Sequence, residues 1–237
     1  MEPHESSIQR LDGSRSLAVF CDFDGTFSIQ DVGSTLARLH IPERREQLWG
    51  RYESGELTAW QYTHALLDGF ALPEQELDAF LRGVELDPGS RTLVAWCNEH
   101  QVPFRILSDG FDRNLEVLQV IHDIHFAYSA NHLVYERGVW SIAPGHPSSS
   151  CGCGTGTCKG TIISRWREEH PESFCVHIGN GRVSDLCGAR AADLTFARSS
   201  DKDTLAPALL ERGEHFVPFE NLFTVVEVLE QLISPAG

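Results

Sequence analysis

Two aspartates, Asp22 and Asp24, stand two residues apart at the end of the apolar run Leu17–Cys21, and Gly25 and Thr26 follow at once. Like charges held this close repel, so a fold that keeps both has a use for a cation beside them. The pattern of small and acidic residues after an apolar run returns twice. Ser108, Asp109 and Gly110 follow Val102–Leu107, while Gly179, Asn180, Gly181 and then Asp185 follow Phe174–Ile178. Lys159, one of two lysines in the chain, opens the segment KGTIISRWREEH directly after a glycine-rich loop.

These residue types together suit phosphoryl transfer. Mg²⁺ takes octahedral oxygen ligands, commonly one or two carboxylates with waters and a substrate phosphate. Asp22, with Asn180 or Asp185, can supply the protein oxygens. A carboxylate in line with phosphorus can act as nucleophile and form an aspartyl-phosphate. A second one, Asp24, can protonate the leaving alcohol and later activate water. Ser108, nearby backbone N–H groups and Lys159 can bind the non-bridging oxygens. Gly25, Thr26, Asp31, Asp109 and Gly110 are expected to line the substrate, with a helix-capping role the alternative for Asp31.

Short continuous apolar runs of this kind read as buried parallel strands. Leu17–Cys21, Val102–Leu107, Phe174–Ile178 and Leu194–Ala197 qualify, and His215–Val217 is a weaker candidate. Helical patterns separate them over 91–99, 112–121, 159–170, 183–192, 201–212 and 222–233. Alternation of this sort predicts an α/β domain with a parallel sheet covered by helices on both faces, and ligands then bind beyond the carboxyl ends of the strands. Residues 30–86 lack a strand pattern and show four amphipathic helical windows, which predicts a small helical cap inserted after the first strand. Its aromatic residues Trp49, Tyr52, Trp60, Tyr62 and Phe70 are expected mainly to pack helices. The core is therefore expected over 16–29 and 87–237, with 1–15 as a flexible tail. The stretch HLVYERGVWSI predicts a β-hairpin turning at Arg137-Gly138.

A net charge of −15 disfavours nucleic acid and anionic lipid as partners. No apolar segment approaches a membrane span, and the polar start MEPHESSIQRLDGSRS carries no secretory signal, so a cytoplasmic protein with a small phosphorylated metabolite as its partner is expected. The seven cysteines are then expected to be reduced. Cys151, Cys153 and Cys158 are irregularly spaced, and His146 or His132 is a conceivable fourth zinc ligand. The expected reading is a reduced loop on the substrate side, with zinc or a local disulfide as alternatives.

DFDGT, LSDG, Lys159 and GNGRVSD, in this order and with a helical insert after the first, resemble the four motifs of the haloacid dehalogenase superfamily phosphatases. The phosphoserine-phosphatase-like branch is the most similar. Within it, SDGFD, the hairpin, the cysteine-rich run before Lys159 and DLCGARAADLTFAR resemble the 2-hydroxy-3-keto-5-methylthiopentenyl-1-phosphate phosphatase group. The resemblance implies a Rossmann-like core and a Mg²⁺ cofactor. It implies Asp22 as nucleophile and metal ligand, and Asp24 as general acid/base that also ligates through its backbone carbonyl. Ser108 and Lys159 would hold the phosphoryl group, with Asn180 and Asp185 completing the metal shell. One departure stands out: Asn180 occupies a position where the family usually has aspartate, so a negative charge is lost there. Phosphotransfer to a small alcohol, or a weakened phospho-ligand binder, are the alternative functions.

Overall fold

The computed structural model describes residues 15–233, so most of the expected tail lies outside the described residues. Strand β1 (Ser16–Asp22) leads into the turn Phe23–Phe27. Four helices follow: α1 (Val32–His40), α2 (Pro42–Glu53), α3 (Ala59–Leu67) and α4 (Glu74–Leu81). The chain continues through α5 (Ser90–Glu99), β2 (Phe104–Phe111), α6 (Asp112–His122), β3 (Ala127–Glu136) and β4 (Val139–Ala143). The last part comprises α7 (Lys159–Glu169), β5 (Ser173–Gly179), α8 (Leu186–Ala191), β6 (Leu194–Arg198), α9 (Leu205–Leu210), β7 (Val217–Phe219) and α10 (Leu222–Ile233).

The sheet runs β4-β3-β2-β1-β5-β6-β7, and every pair is parallel except β3 with β4. β1 sits centrally, its residues 17–21 all buried, because continuous apolar side chains are covered on both faces of a parallel sheet. Phe20 packs edge-on against Trp166 of α7 on one face; on the other, the Phe27 ring of the following turn meets Phe104 and Phe126. No helix among the described residues is long and apolar enough to cross a membrane.

The segment holding α1–α4 enters and leaves at one place, where Ser28 and Leu86 form an antiparallel bridge. It leans on the rest of the chain through Trp140 of β4, which is buried against Phe70 and exchanges backbone hydrogen bonds with Gly69 and Phe70. Arg113 of α6 adds ion pairs to Glu74 and Asp78 of α4. Of its expected packing aromatics, Trp49, Tyr52 and Tyr62 pack against one another, Tyr52 and Tyr62 stacked at 5.0 Å between centroids and Trp49 edge-on to Tyr62.

Two elements differ from the sequence expectation for a physical reason. The hairpin turns at Arg137-Gly138, both at positive φ as a two-residue turn requires. Its first strand, however, begins earlier, and residues 127–131 pair with β2 as part of the main sheet. That stretch, AYSAN, is too small and polar to read as a buried strand. The helices expected over 183–192 and 201–212 are shorter, because residues 181–185 wrap the Asp185 carboxylate and residues 200–204 support Asn180, as described next.

Candidate active site

Sheet register sets the site. Asp22 pairs with Leu107, and its neighbour Cys21 with Ile178, so the chain beyond each of these three strands emerges at one level. The β2–β3 ladder slips between Leu107 and Phe111, and this bulge re-aims Ser108, Asp109 and Gly110 at the carboxyl edge.

Lys159 lies at the centre. It is fully buried, and its Nζ donates to Asp22 Oδ1 and, at 2.6 Å, to Asp185 Oδ1. A bare ammonium would not survive that burial, so the two carboxylates are what keep it charged. Burial works against the ammonium, but Asp185 and Asp22 together hold its pKa above the ordinary value. Asp185 is saturated by donors. Besides Lys159, Oδ1 faces Nε2 of the buried His177 at 3.2 Å, while Oδ2 accepts from the backbone N–H groups of Asn180 and Gly181 at 3.1 and 2.8 Å. Burial opposes its charge, yet Lys159 and His177 hold its pKa below the carboxylate range. Asp22 goes the other way: burial first, then the Asp185 charge, push it up to about 7 despite Lys159. Lys159 thus neutralises one carboxylate well and leaves the other short of positive charge.

Asp24 Oδ1 accepts the Val32 N–H at 2.8 Å, capping α1, and Oδ2 faces the Ser108 hydroxyl at 3.4 Å. Burial, then Asp31 and Asp22, raise the Asp24 pKa well above the carboxylate range. Gly110 donates its N–H to Ser108 Oγ at 2.9 Å and fixes that hydroxyl. Gly25 has φ +77, and a Cβ there would lie 2.5 Å from Asn180 Nδ2, so only glycine lets the first and fourth motifs meet. Thr26 is fully buried in the same turn, its hydroxyl making no well-formed hydrogen bond.

Two residues expected at the substrate are engaged elsewhere. Asp109 Oδ1 accepts from Gly156 N–H, Thr157 N–H and Asn131 Nδ2 at 2.9, 3.0 and 3.1 Å. Through this oxygen the Asp109 carboxylate pins the loop before Lys159 to β2. Asp31 takes the helix-capping alternative, accepting Ser34 N–H at 2.7 Å.

Several supporting residues carry no local sequence signal. Arg198, at the end of β6, donates to the Gly25 carbonyl at 2.8 Å and pairs with buried Asp87, bracing the Asp22–Thr26 turn. Asp203 accepts from Asn180 Nδ2 at 3.1 Å and from Ser200 N–H at 3.0 Å. Asp203 accepts at both oxygens and so fixes the Asn180 amide with its nitrogen turned to Asp203, which leaves Asn180 Oδ1 open.

The donor set fits a hard divalent cation. Among the described residues, no N–H donor reaches Asp22 Oδ2 or Asn180 Oδ1, whereas both oxygens of Asp185 are occupied by N–H donors. Oxygens without N–H donors beside a carboxylate of raised pKa suit Mg²⁺. They favour Asn180 over Asp185 as the direct ligand.

No known family model matches the chain. It is 26% identical over 223 residues to the 2-hydroxy-3-keto-5-methylthiopentenyl-1-phosphate phosphatase of Brevibacillus brevis, a match covering 92% of this chain and 98% of that protein. The Bacillus cereus protein of the same name matches equally, at 26% over 223 residues. Among solved structures, a HAD family hydrolase of Salmonella enterica serovar Typhi superposes with TM-score 0.71 at 17% identity, covering 96% of this chain and 75% of that one. A substrate-bound phosphoserine phosphatase superposes with TM-score 0.67 at 16% identity, covering 92% and 99%. The chain is a haloacid dehalogenase-fold relative of these phosphatases. In this haloacid dehalogenase fold, the asparagine at 180 makes a prediction possible. Asn180→Asp alone sets a carboxylate against Asp203, so its gain in metal affinity is partly cancelled by repulsion. Asn180→Asp with Asp203→Asn swaps the pair and keeps the hydrogen bond. The double variant is expected to need about tenfold less Mg²⁺, the equivalent of one added charge contact of about 1.4 kcal/mol. Mg²⁺ titration of phosphate release reads this out, and identical midpoints in all three proteins would argue against Asn180 as a metal ligand.

Proposed function

We propose that this protein is a cytoplasmic, Mg²⁺-dependent phosphatase of a small phosphomonoester, working through an aspartyl-phosphate on Asp22. The observation that carries the reading is the buried Lys159 bridge between Asp22 and Asp185, with Asp24 and Ser108 hydrogen-bonded beside it. The relatives whose names describe phosphatases support it.

Asp22 and Asn180, with the Asp24 backbone carbonyl, would hold the ion, which when bound supplies positive charge to the phosphoryl oxygens. Asp22 attacks phosphorus; the bond to the leaving oxygen breaks, and Asp24 gives that oxygen its proton. Burial, with Asp31 and Asp22 nearby, raises its pKa, the direction that suits a general acid. Asp24, now ionised, takes a proton from water as that water attacks phosphorus, which releases inorganic phosphate and restores Asp22. Lys159 and the Ser108 hydroxyl stabilise the charge on the non-bridging oxygens. Residues 30–86 act as a cap: the Asp24 carboxylate itself terminates α1, so seating of that segment and readiness of the acid are coupled.

Phosphate release is measured from an aryl phosphate and a panel of small phosphomonoesters with and without Mg²⁺. The panel includes phosphoserine and 2-hydroxy-3-keto-5-methylthiopentenyl-1-phosphate. Mg²⁺-dependent release is expected. Its absence across the panel, together with no labelled aspartyl-phosphate, would overturn the reading. Product that appears only with an added alcohol would point to phosphotransfer.

A further inference from the structure

Three thiols of one loop and a fourth from a distant part of the chain converge at one point. The sulfur atoms of Cys151, Cys153, Cys158 and Cys187 all lie within 4.8 Å of one another. Neither histidine weighed as a fourth ligand takes part: His132 Nδ1 pairs with Asp112 at 2.8 Å, and the fourth position belongs to Cys187. We propose that these four cysteines bind one zinc ion, a structural site that ties the loop carrying Lys159 to the loop carrying Asp185.

Tetrahedral zinc with Zn–S bonds of about 2.3 Å separates its sulfurs by roughly 3.8 Å, so a mutual spread below 4.8 Å suits one ion. An iron–sulfur cluster spreads its thiolates around several irons and needs more room. Two disulfides would join the sulfurs in pairs and give no reason for all four to meet. Cys153 and Cys158 have four residues between them in the chain, within the spacing common to zinc-binding pairs. Two of the sulfurs also accept hydrogen bonds, as thiolates do. The Gly160 N–H points at Cys187 Sγ at 3.4 Å, and the Thr161 hydroxyl at Cys158 Sγ at 3.2 Å.

Charge and access agree. Four thiolates around Zn²⁺ carry a net −2, costly in a chain already at −15. Cys151, Cys153 and Cys187 open onto a groove lined also by Arg165, Arg182 and Arg190. Arg190 is paired with Glu214, but Arg165 and Arg182 have no ion-pair partner among the described residues. They would offset that charge, and the groove gives the ion a way in.

The site's place explains its use. Cys158 directly precedes Lys159, and Cys187 follows Asp185 by two residues. At Gly160 the first turn of α7 lies so close to α8 that a Cβ would stand 2.7 Å from the Cys187 carbonyl oxygen. The same loop reaches the helical segment, where the Gly154 carbonyl accepts Trp60 N–H at 2.8 Å. One ion therefore would fix Lys159, Asp185 and the seat of α3 together. Thiolates select zinc and the oxygens of Asp22 and Asn180 select Mg²⁺, so the two sites separate by ligand hardness.

Metal content of the full chain, purified reduced from zinc-supplied medium, tests this apart from the phosphatase reading. About one zinc per chain is expected in wild type and in Asp22→Asn. Cys187→Ser should lose it, while Cys187→His, still a competent ligand, should keep it. Replacement by Co²⁺ should give the intense visible absorption of tetrahedral cobalt thiolate in wild type and Cys187→His only. If Cys187→Ser is insoluble, stepwise thiol modification of wild type with a mercurial should release one zinc to a chromogenic chelator. Zinc-free wild type with no cobalt band overturns the site, whether its thiols titrate as free or as disulfides. Iron in place of zinc, or zinc unaffected by loss of Cys187, overturns it equally.

Discussion

Asp22→Asn is expected to abolish turnover and yet, in EDTA at neutral pH, to gain in thermal stability relative to wild type. The activity loss follows from the proposed chemistry: an amide cannot form the acyl-phosphate, and removal of a nucleophile typically costs at least about 10⁴-fold. The stability result follows from electrostatics. Asp22 is 4% exposed, and its pKa rises from 3.8 to about 7 through burial and the Asp185 charge. Between these values the folded chain binds more protons at this group than the unfolded chain. Stability from Asp22 is therefore fully present below about pH 4 and falls as pH rises through about 7. Asparagine does not titrate, so the Tm difference between variant and wild type should move in favour of the variant over that window. Asp24, also raised, remains in both proteins, and the difference isolates Asp22 to that extent. Saturating Mg²⁺ should stabilise wild type and have much less effect on the variant, because the cation supplies the positive charge Asp22 lacks. A Tm difference independent of pH would refute the electrostatic account without touching the nucleophile assignment; full turnover in Asp22→Asn would refute the latter.

The grouping of the candidate site's residues was legible because strand ends are legible. Apolar runs stop where Asp22, Ser108 and Gly179 begin, and a parallel sheet brings such ends to one edge. Lys159 was readable for a different reason, its rarity and its place at the start of a helix. What could not be read depends on contacts across long stretches of chain. Asp203 looks like part of a helix that starts at Asp201, but its carboxylate is spent on Asn180 and the helix starts later. Asp109 has the composition of a substrate residue, and only the fold shows three donors closing on one oxygen. Cys187 sits 29 positions beyond Cys158, with no pairing signal, and meets the other cysteines because α7 and α8 pack tightly at Gly160. Periodicity reports which face a residue occupies. It carries nothing about which distant polar group will claim a side chain.

Lys159→Met should be the most destabilising single change at the site, and more so than the loss of one ion pair suggests. The side chain is fully buried, and its partners are 5% and 0% exposed, so solvent cannot replace the ammonium. Methionine fills similar volume, which leaves the charge as the main thing removed. Asp22 and Asp185 then face each other unpaired, and breaking a buried pair in this way costs about 3–5 kcal/mol. Asp185 retains His177 and two backbone N–H donors, so most of the penalty falls on Asp22. That asymmetry makes a double variant decisive. Adding Asp22→Asn to Lys159→Met removes the stranded carboxylate, and stability should recover by a large part of the loss even though a second native group is gone. In the single variant, phosphate release should fall about 10²–10³-fold, as expected when one preorganised donor to a developing charge is deleted. Urea midpoints for the four proteins of the cycle give the coupling directly. Additive losses would mean that Lys159 stabilises the fold through contacts other than Asp22, and the bridge would then have to be assigned to Asp185 alone.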